Sequence, residues 1–180
     1  MNVLFIHSSG PQSDTEGSGR LVTALRSALL RNINLSAPLM PDPDDPNAAA
    51  WSKAIGEHLA AVDKPFVLVG HSLGGSAILQ YLALHDAPSG MKGVVSIAAP
   101  FWGANMREWT LPPGFATRLS RLPRLVLYHS RDDDEVPIAH VDRYAAAIPT
   151  AIVRKVDGRG HLFDDGDVAD IVEDIRGGQT

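Results

Sequence analysis

The sequence predicts an α/β protein: about six mostly parallel strands, helices on both faces, and a single domain over residues 1–180. Two observations carry that prediction. Short β-prone apolar runs alternate with longer amphipathic ones from end to end, without repeats or a linker. The clearest runs, VLFIH and FVLVG, are apolar throughout rather than at every second residue, as in strands buried on both faces.

In chain order, Val3–His7 is the first strand and Gly10–Gly19 (GPQSDTEGSG) a turn-rich loop. Arg20–Arg31 reads as a helix with Leu21, Ala24, Leu25, Ala28 and Leu29 on one face. Asn32–Ala37 is a weak strand, and the proline-rich PLMPDPDDPN after it cannot be helix interior. A helix follows over Ala48–Val62, where Trp51, Ile55, His58 and Leu59 share a face. Phe66–Gly70 is a buried strand, and Gly75–His85 lies in the next helix, which opens near Leu73. Val94–Ala98 and Arg124–Tyr128 are strands, Val136–Ala147 a helix, Ala151–Val156 a strand and Val168–Arg176 the last helix.

Composition narrows the function classes. A net charge of −5 leaves no basic stripe for nucleic acid or an acidic membrane surface, and no apolar segment reaches the length of a membrane span. MNVLFIHSSG has no basic leader and reads as a strand rather than a secretory signal. With no cysteine there is no disulfide and no thiolate chemistry, so a cytoplasmic location is the default expectation. None of the seven histidines falls in an HxH, HxxxH or HExxH grouping, so no metal is expected, and no cofactor is expected either.

Chemistry concentrates in Gly70-His71-Ser72-Leu73-Gly74, a G-x-S-x-G placed between a buried strand and a helix. A serine on so sharp a turn has strained backbone, and side chains two residues away would collide there, so glycine is needed on both sides. The helix opening at Leu73 aims free N–H groups and its positive dipole end at charge developing beside Ser72. A serine hydroxyl also needs a base, and the base an orienting acid. Downstream histidines are His85, His129, His140 and His161. His85 and His140 fall on helices and His129 ends a strand. His161 stands in GRGHLF, a glycine-bounded loop after the last strand that can reach over the C-terminal edge of the sheet. His161 is therefore the expected base. Asp132, Asp133, Asp134 and Glu135 follow the preceding strand, and at least two of these four belong to a solvated turn.

Together these residues resemble the α/β-hydrolase superfamily over essentially the whole chain, which implies the three-layer α/β-hydrolase fold in compact form, without a large lid domain. His129-Ser130-Arg131-Asp132-Asp133-Asp134-Glu135-Val136-Pro137 resembles the family pattern H-G-x-x-D-x-x-V-P, with Ser130 where glycine is usual. That register selects Asp133 as the acid, with Asp134 second. The resemblance also implies two backbone oxyanion donors, the N–H of Leu73 and one from FIHSSG, with Ser9 the best match and Ser8 the alternative. PDPDDPNAAAW before GHSLGG, and AAPFWG after the next strand, narrow the resemblance. Both are similar to the small serine hydrolases related to retinoblastoma-binding protein 9 and YdeN.

The family implies a Ser72–Asp133–His161 serine hydrolase acting on small-molecule esters through an acyl-enzyme. Alternatives are a non-catalytic protein-binding module retaining the fold, and acyl transfer or cofactor-free peroxidation with the same triad. A protein partner is not legible in the residues. Phe101, Trp102, Met106, Trp109, Leu111 and Phe115 crowd between Pro100 and Leu122 in a chain only 6% aromatic. About half of them should be core, while Phe101, Trp102 and Trp109 are the expected acyl-binding side chains. A segment that short cannot make a large lid, so an open site preferring short acyl groups is expected.

Overall fold

A computed structural model of the chain describes residues 1–29, 33–164 and 166–177. Six strands are present, β1 (Asn2–Ile6), β2 (Asn34–Ser36), β3 (Phe66–His71), β4 (Met91–Ile97), β5 (Leu125–Ser130) and β6 (Ile152–Val156). They form one sheet in the order β2-β1-β3-β4-β5-β6, and every pairing is parallel. The principal helices are α1 (Gly19–Ala28), α2 (Ala48–Ala61), α3 (Leu73–Leu84), α4 (Phe115–Leu119), α5 (Ala139–Ala147) and α6 (Ala169–Ile175). No helix among the described residues is long and apolar enough to cross a membrane.

The strands sort their side chains by parity. Leu4, Ile6, Phe66, Leu68, Val94, Leu125 and Leu127 face one cluster with Trp51 and Ile55 of α2, Ile78 and Leu82 of α3, and Val141 and Tyr144 of α5. Val3, Phe5, Val67, Val69, Val95, Ile97, Val126 and Tyr128 face the other, with Leu21 and Leu25 of α1 and Ile171 and Ile175 of α6. That is why the central strands carry runs of consecutive apolar residues: both faces are covered.

Element by element, the expectations hold with shifts at the ends. The expected helix end at Arg31 and strand start at Asn32 lie outside the described residues. On α1, Ala28 is exposed and Val22 takes its place on the buried face. Asn47 caps α2 by accepting the Ala50 N–H at 3.0 Å. The helix starts at Ala139 rather than Val136, because Val136 hydrogen-bonds into the turn before it. The segment after β4, expected as loop, instead holds a short 3₁₀ helix (Ala104–Trp109) and α4. Its anchor is Gln80 of α3, whose amide donates to the carbonyls of Glu108 (2.7 Å) and Thr110 (3.2 Å). Side-chain-to-backbone bonds of this kind leave no periodic signal in sequence.

Candidate active site

Because all six strands are parallel, the loops after β1, β3, β5 and β6 leave the same rim of the sheet, where α/β folds assemble their sites. Ser72 lies between β3 and α3 with φ 51° and ψ −120°, a conformation L-residues rarely adopt. The turn is held closed by the Ser72 N–H, which donates to the Ile97 carbonyl at 2.8 Å. It is tolerated only because of its neighbours. A Cβ on Gly70 would lie 2.6 Å from Ile78 Cδ1 and 2.7 Å from the Gly74 carbonyl oxygen. One on Gly74 would lie 2.3 and 2.4 Å from the carbonyl oxygens of Ile6 and His7. The second glycine thus does more than relieve the elbow: it lets the first turn of α3 rest on the end of β1.

The three candidate residues meet at this rim. His161 Nε2 is 2.9 Å from Ser72 Oγ, and His161 Nδ1 is 2.9 Å from Asp133 Oδ2. A carboxylate oxygen only accepts, so Nδ1 carries the hydrogen and Nε2 is free to take one from Ser72. All three are buried, Ser72 the most accessible at 9%. The other Asp133 oxygen accepts the backbone N–H of Glu135 (3.0 Å) and of Val136 (2.7 Å). Asp134 is exposed and takes no part in this contact. Glu135 is exposed too, with Oε2 3.8 Å from His161 Nε2.

Side chains with no assigned role in the sequence reading support this arrangement. His129 is buried on the far side of Asp133, with Nε2 donating to the Val136 carbonyl at 2.6 Å and lying 3.3 Å from Asp133 Oδ2. Ser130, the departure from the family pattern, accepts the Arg159 N–H at 3.1 Å and donates to Asp132. Asp132 in turn accepts the Gly158 N–H at 2.9 Å, so the pair grips the loop carrying His161. The Ser130 hydroxyl holds Asp132 below the usual carboxylate range. His71 is fully buried, and that burial, reinforced by His161, lowers its pKa to about 4. The signal for these residues was partly available, since His71 and His129 sit inside the two motifs. The partners of His71 lie 53 or more positions away, and those of His129, though near in sequence, meet it only through the fold of the turn after β5.

Of the expected pocket residues, Phe101 and Trp102 are half-buried in the segment that follows β4. Phe101 packs edge-on against Tyr144 with ring centroids 4.8 Å apart, and its N–H donates to His140 Nδ1 at 2.8 Å. Trp109 is 2% exposed and meets Trp51 edge-on at 5.8 Å. It is a core ring, and its burial leaves a substrate no face to touch, which corrects the expectation for that residue. Leu73, at the first position of α3, has an N–H without an acceptor inside the helix. In the loop after β1, the Ser8 N–H donates to Ser18 Oγ at 2.9 Å. Among the described residues no acceptor takes the Ser9 N–H, so Ser9 rather than Ser8 has a donor to offer. A cavity of about 640 Å³ lies at the opposite rim, lined by Lys92, Arg124, Asp174 and Arg176 among others, away from Ser72.

The molecule is similar to several solved structures. The Bacillus subtilis ydeN gene product shares 19% identity over 98% of both chains, with a TM-score of 0.78. Est1E from Butyrivibrio proteoclasticus shares 13%, over 98% of this chain and 85% of that one, at 0.72. A monoacylglycerol lipase from Paleococcus ferrophilus shares 16%, over 99% and 95%, at 0.71. At such identities the likeness is one of fold, and the fold is that of the α/β hydrolases. No curated protein sequence matches the chain. The model of one sequence family, described as serine hydrolase, matches residues 27–169, a span that contains Ser72, Asp133 and His161. That match covers well over half of the molecule, and on it the chain belongs to the serine hydrolase family.

Proposed function

We propose that the protein hydrolyses small carboxylic esters, with Ser72 as nucleophile, His161 as general base and acid, and Asp133 orienting the imidazole. The observation that carries this reading is the unbroken line from Asp133 Oδ2 to His161 Nδ1 and from His161 Nε2 to Ser72 Oγ, both steps 2.9 Å. In the reaction, Ser72 Oγ attacks the ester carbonyl as its proton passes to His161 Nε2. The N–H groups of Leu73 and Ser9 receive the resulting oxyanion. Collapse breaks the bond to the alcohol, which leaves with the proton from Nε2. Water then attacks the acyl-enzyme, giving a proton to Nε2, and the second collapse returns that proton to Ser72 Oγ and frees the acid. Asp133 stays unprotonated throughout and holds the tautomer.

Phe101 and Trp102, in the segment that follows β4, are the side chains assigned to the acyl group, in an open site suited to short chains. The test is labelling with a fluorophosphonate probe, together with turnover of p-nitrophenyl acetate. Ser72 should carry the label, and Ser72→Ala should lose both label and turnover, by orders of magnitude, while staying folded. Wild-type turnover in Ser72→Ala would remove Ser72 from the chemistry. An unlabelled, inactive wild-type protein would instead favour a binding module that retains the fold.

A further inference from the structure

We propose that Ser18, His71 and Gln12 are positioning residues that hold the Ser8–Ser9 peptide for oxyanion binding and tie it to the loop carrying His161. The proposal rests on Ser72 being the nucleophile.

The argument is one of hydrogen count. His71 Nε2 lies 2.8 Å from the His161 carbonyl oxygen, which can only accept, so Nε2 carries a hydrogen. His71 is fully buried and among the described residues has no carboxylate in hydrogen-bond contact, and burial keeps its ring neutral at ordinary pH. Nδ1 is therefore bare and must accept. Its partner is Ser18 Oγ, 3.0 Å away, whose single hydrogen is spent there. Ser18 Oγ is then left with lone pairs only. It uses them on the Ser8 N–H at 2.9 Å and on the Ser8 hydroxyl, whose oxygen is also 2.9 Å away. Every member has one assignment, and the chain runs one way, from Ser8 through Ser18 and His71 to the His161 backbone. Ser18 is 0% and Ser8 6% exposed, so water does not compete for these bonds.

The consequence falls on the next peptide. Peptide planarity sets the Ser9 N–H opposite to the Ser8 carbonyl. Gln12 Nε2 donates to that carbonyl at 3.3 Å, and Gln12 Oε1 accepts the Met40 N–H at 2.7 Å, so the side chain is itself fixed at its other end. With Ser8 N–H committed to Ser18 and the Ser8 carbonyl held by Gln12, the Ser9 N–H has one direction left. Gly74 lets the first turn of α3, which Leu73 opens, rest on the carbonyls of Ile6 and His7, just before this peptide in the chain. The loop after β1 is thereby packed on the start of α3 and tied through Ser18 and His71 to the His161 backbone.

The test uses the full-length protein with Ser18→Ala and, separately, Gln12→Ala. Turnover of p-nitrophenyl acetate and inhibition by butaneboronic acid are measured, with rates normalised to folded protein by circular dichroism. The boronate on Ser72 is tetrahedral and places an oxygen where the oxyanion forms. Loss of a whole oxyanion donor costs about 10²–10³ in kcat, so a donor left in place but unheld should cost about 10-fold. In Ser18→Ala, kcat should fall by that factor, the boronate Ki should rise in parallel, and KM should stay within about 2-fold. Gln12→Ala should show the same split, more weakly. A merely structural role would lower the melting temperature and leave kcat per folded molecule and the boronate Ki unchanged, and that result overturns the proposal. If Ser18→Ala does not fold, Gln12→Ala decides, and wild-type kcat and Ki there overturn it. Activity retained in Ser72→Ala would defeat the proposed function and this inference together. An inert Ser72→Ala beside a wild-type Ser18→Ala would defeat the inference alone.

Discussion

Among the described residues two aspartates are buried, one at each rim of the sheet, and they are satisfied in different ways. Asp174, on α6 and 4% exposed, accepts from Arg124, from Arg154 through Nε at 3.1 Å and Nη2 at 3.3 Å, and from Tyr128 Oη at 2.7 Å. Burial alone would raise its pKa, but the bonds from Arg154, Tyr128 and Arg124 outweigh burial and hold it below the usual carboxylate range. Asp133 is 8% exposed, and among the described residues its ion-pair partners are histidines rather than Arg or Lys. Its partners are two backbone N–H groups and two imidazoles. The first acid is locked by permanent cations. The second faces rings that can gain and lose a proton. A buried charge tied to guanidinium groups braces a fold, whereas one tied to imidazole can take part in proton transfer.

The largest expected effect breaks the Asp133 side of this contrast. Asp133→Asn should cut turnover by up to about 10⁴-fold, the loss found when a well-studied triad is given the wrong tautomer, while barely changing the unfolding midpoint. Asp134→Asn should be mild in the same assay, and a large loss there with Asp133→Asn silent would move the acid by one residue. The reverse pattern is expected at the other rim. Asp174→Asn should cost about 2 kcal/mol in urea unfolding by weakening the bonds from Tyr128 and the partly exposed Arg124 and Arg154, yet keep kcat per folded molecule. A catalytic defect without a stability defect would refute the division of labour.

Acid titration sharpens the comparison. The folded pKa of His71, about 4, lies below its ordinary value of 6.5, so the unfolded chain binds the extra proton between these values. The stability His71 contributes is complete above about pH 6.5 and is lost as pH falls toward 4, about 3 kcal/mol over the window. His7, lowered chiefly by its own burial, adds in the same direction. Asp174 acts lower, losing its contribution only below the ordinary carboxylate pKa of 3.8. Unfolding free energies measured from pH 7 to 4 should therefore decline in wild type and decline less in His71→Gln. Equal slopes would remove His71 as the cause.

The smallest effect concerns specificity. Trp102→Ala should flatten the acyl-length profile, a change of several-fold per methylene at most since each buried CH₂ contributes about 0.8 kcal/mol. Trp109→Ala should instead lower stability without altering the profile. An altered profile in the Trp109 variant with none in Trp102→Ala would reverse these two assignments.

How much of this was legible follows from the range of each signal. The strands could be found because burial on both faces makes them apolar at consecutive positions, as in Val67–Leu68–Val69. The elbow could be found because its steric demand falls on glycines two residues either side of Ser72. Asp133 stood out by register, and the structure adds the reason: its neighbour Asp134 points to solvent while Asp133 caps the turn into Val136. Ser18, Gln12 and Ser130 could not be found, because a hydroxyl or amide in a loop looks alike whether it meets water or a peptide ten to thirty residues away. Trp109 was misassigned for a related reason. An aromatic side chain after a strand carries no mark of which way it turns, and Trp51, lying 58 positions earlier, decides it.

The sheet order has a further consequence. Ser72 ends β3, which has a strand on each side and is buried at every position. His161 follows β6, an edge strand paired only with β5 and only partly buried along its length. Opening free energies within one protein run from near zero at exposed edges to the global value at the centre. The two halves of the Ser72–His161 contact therefore belong to cooperative units of different local stability. On warming, β6 should open before β3, parting His161 from Ser72 while the elbow is still intact. Loss of the Ser72–His161 contact should then precede global melting, with the edge strand rather than the elbow setting its thermal limit.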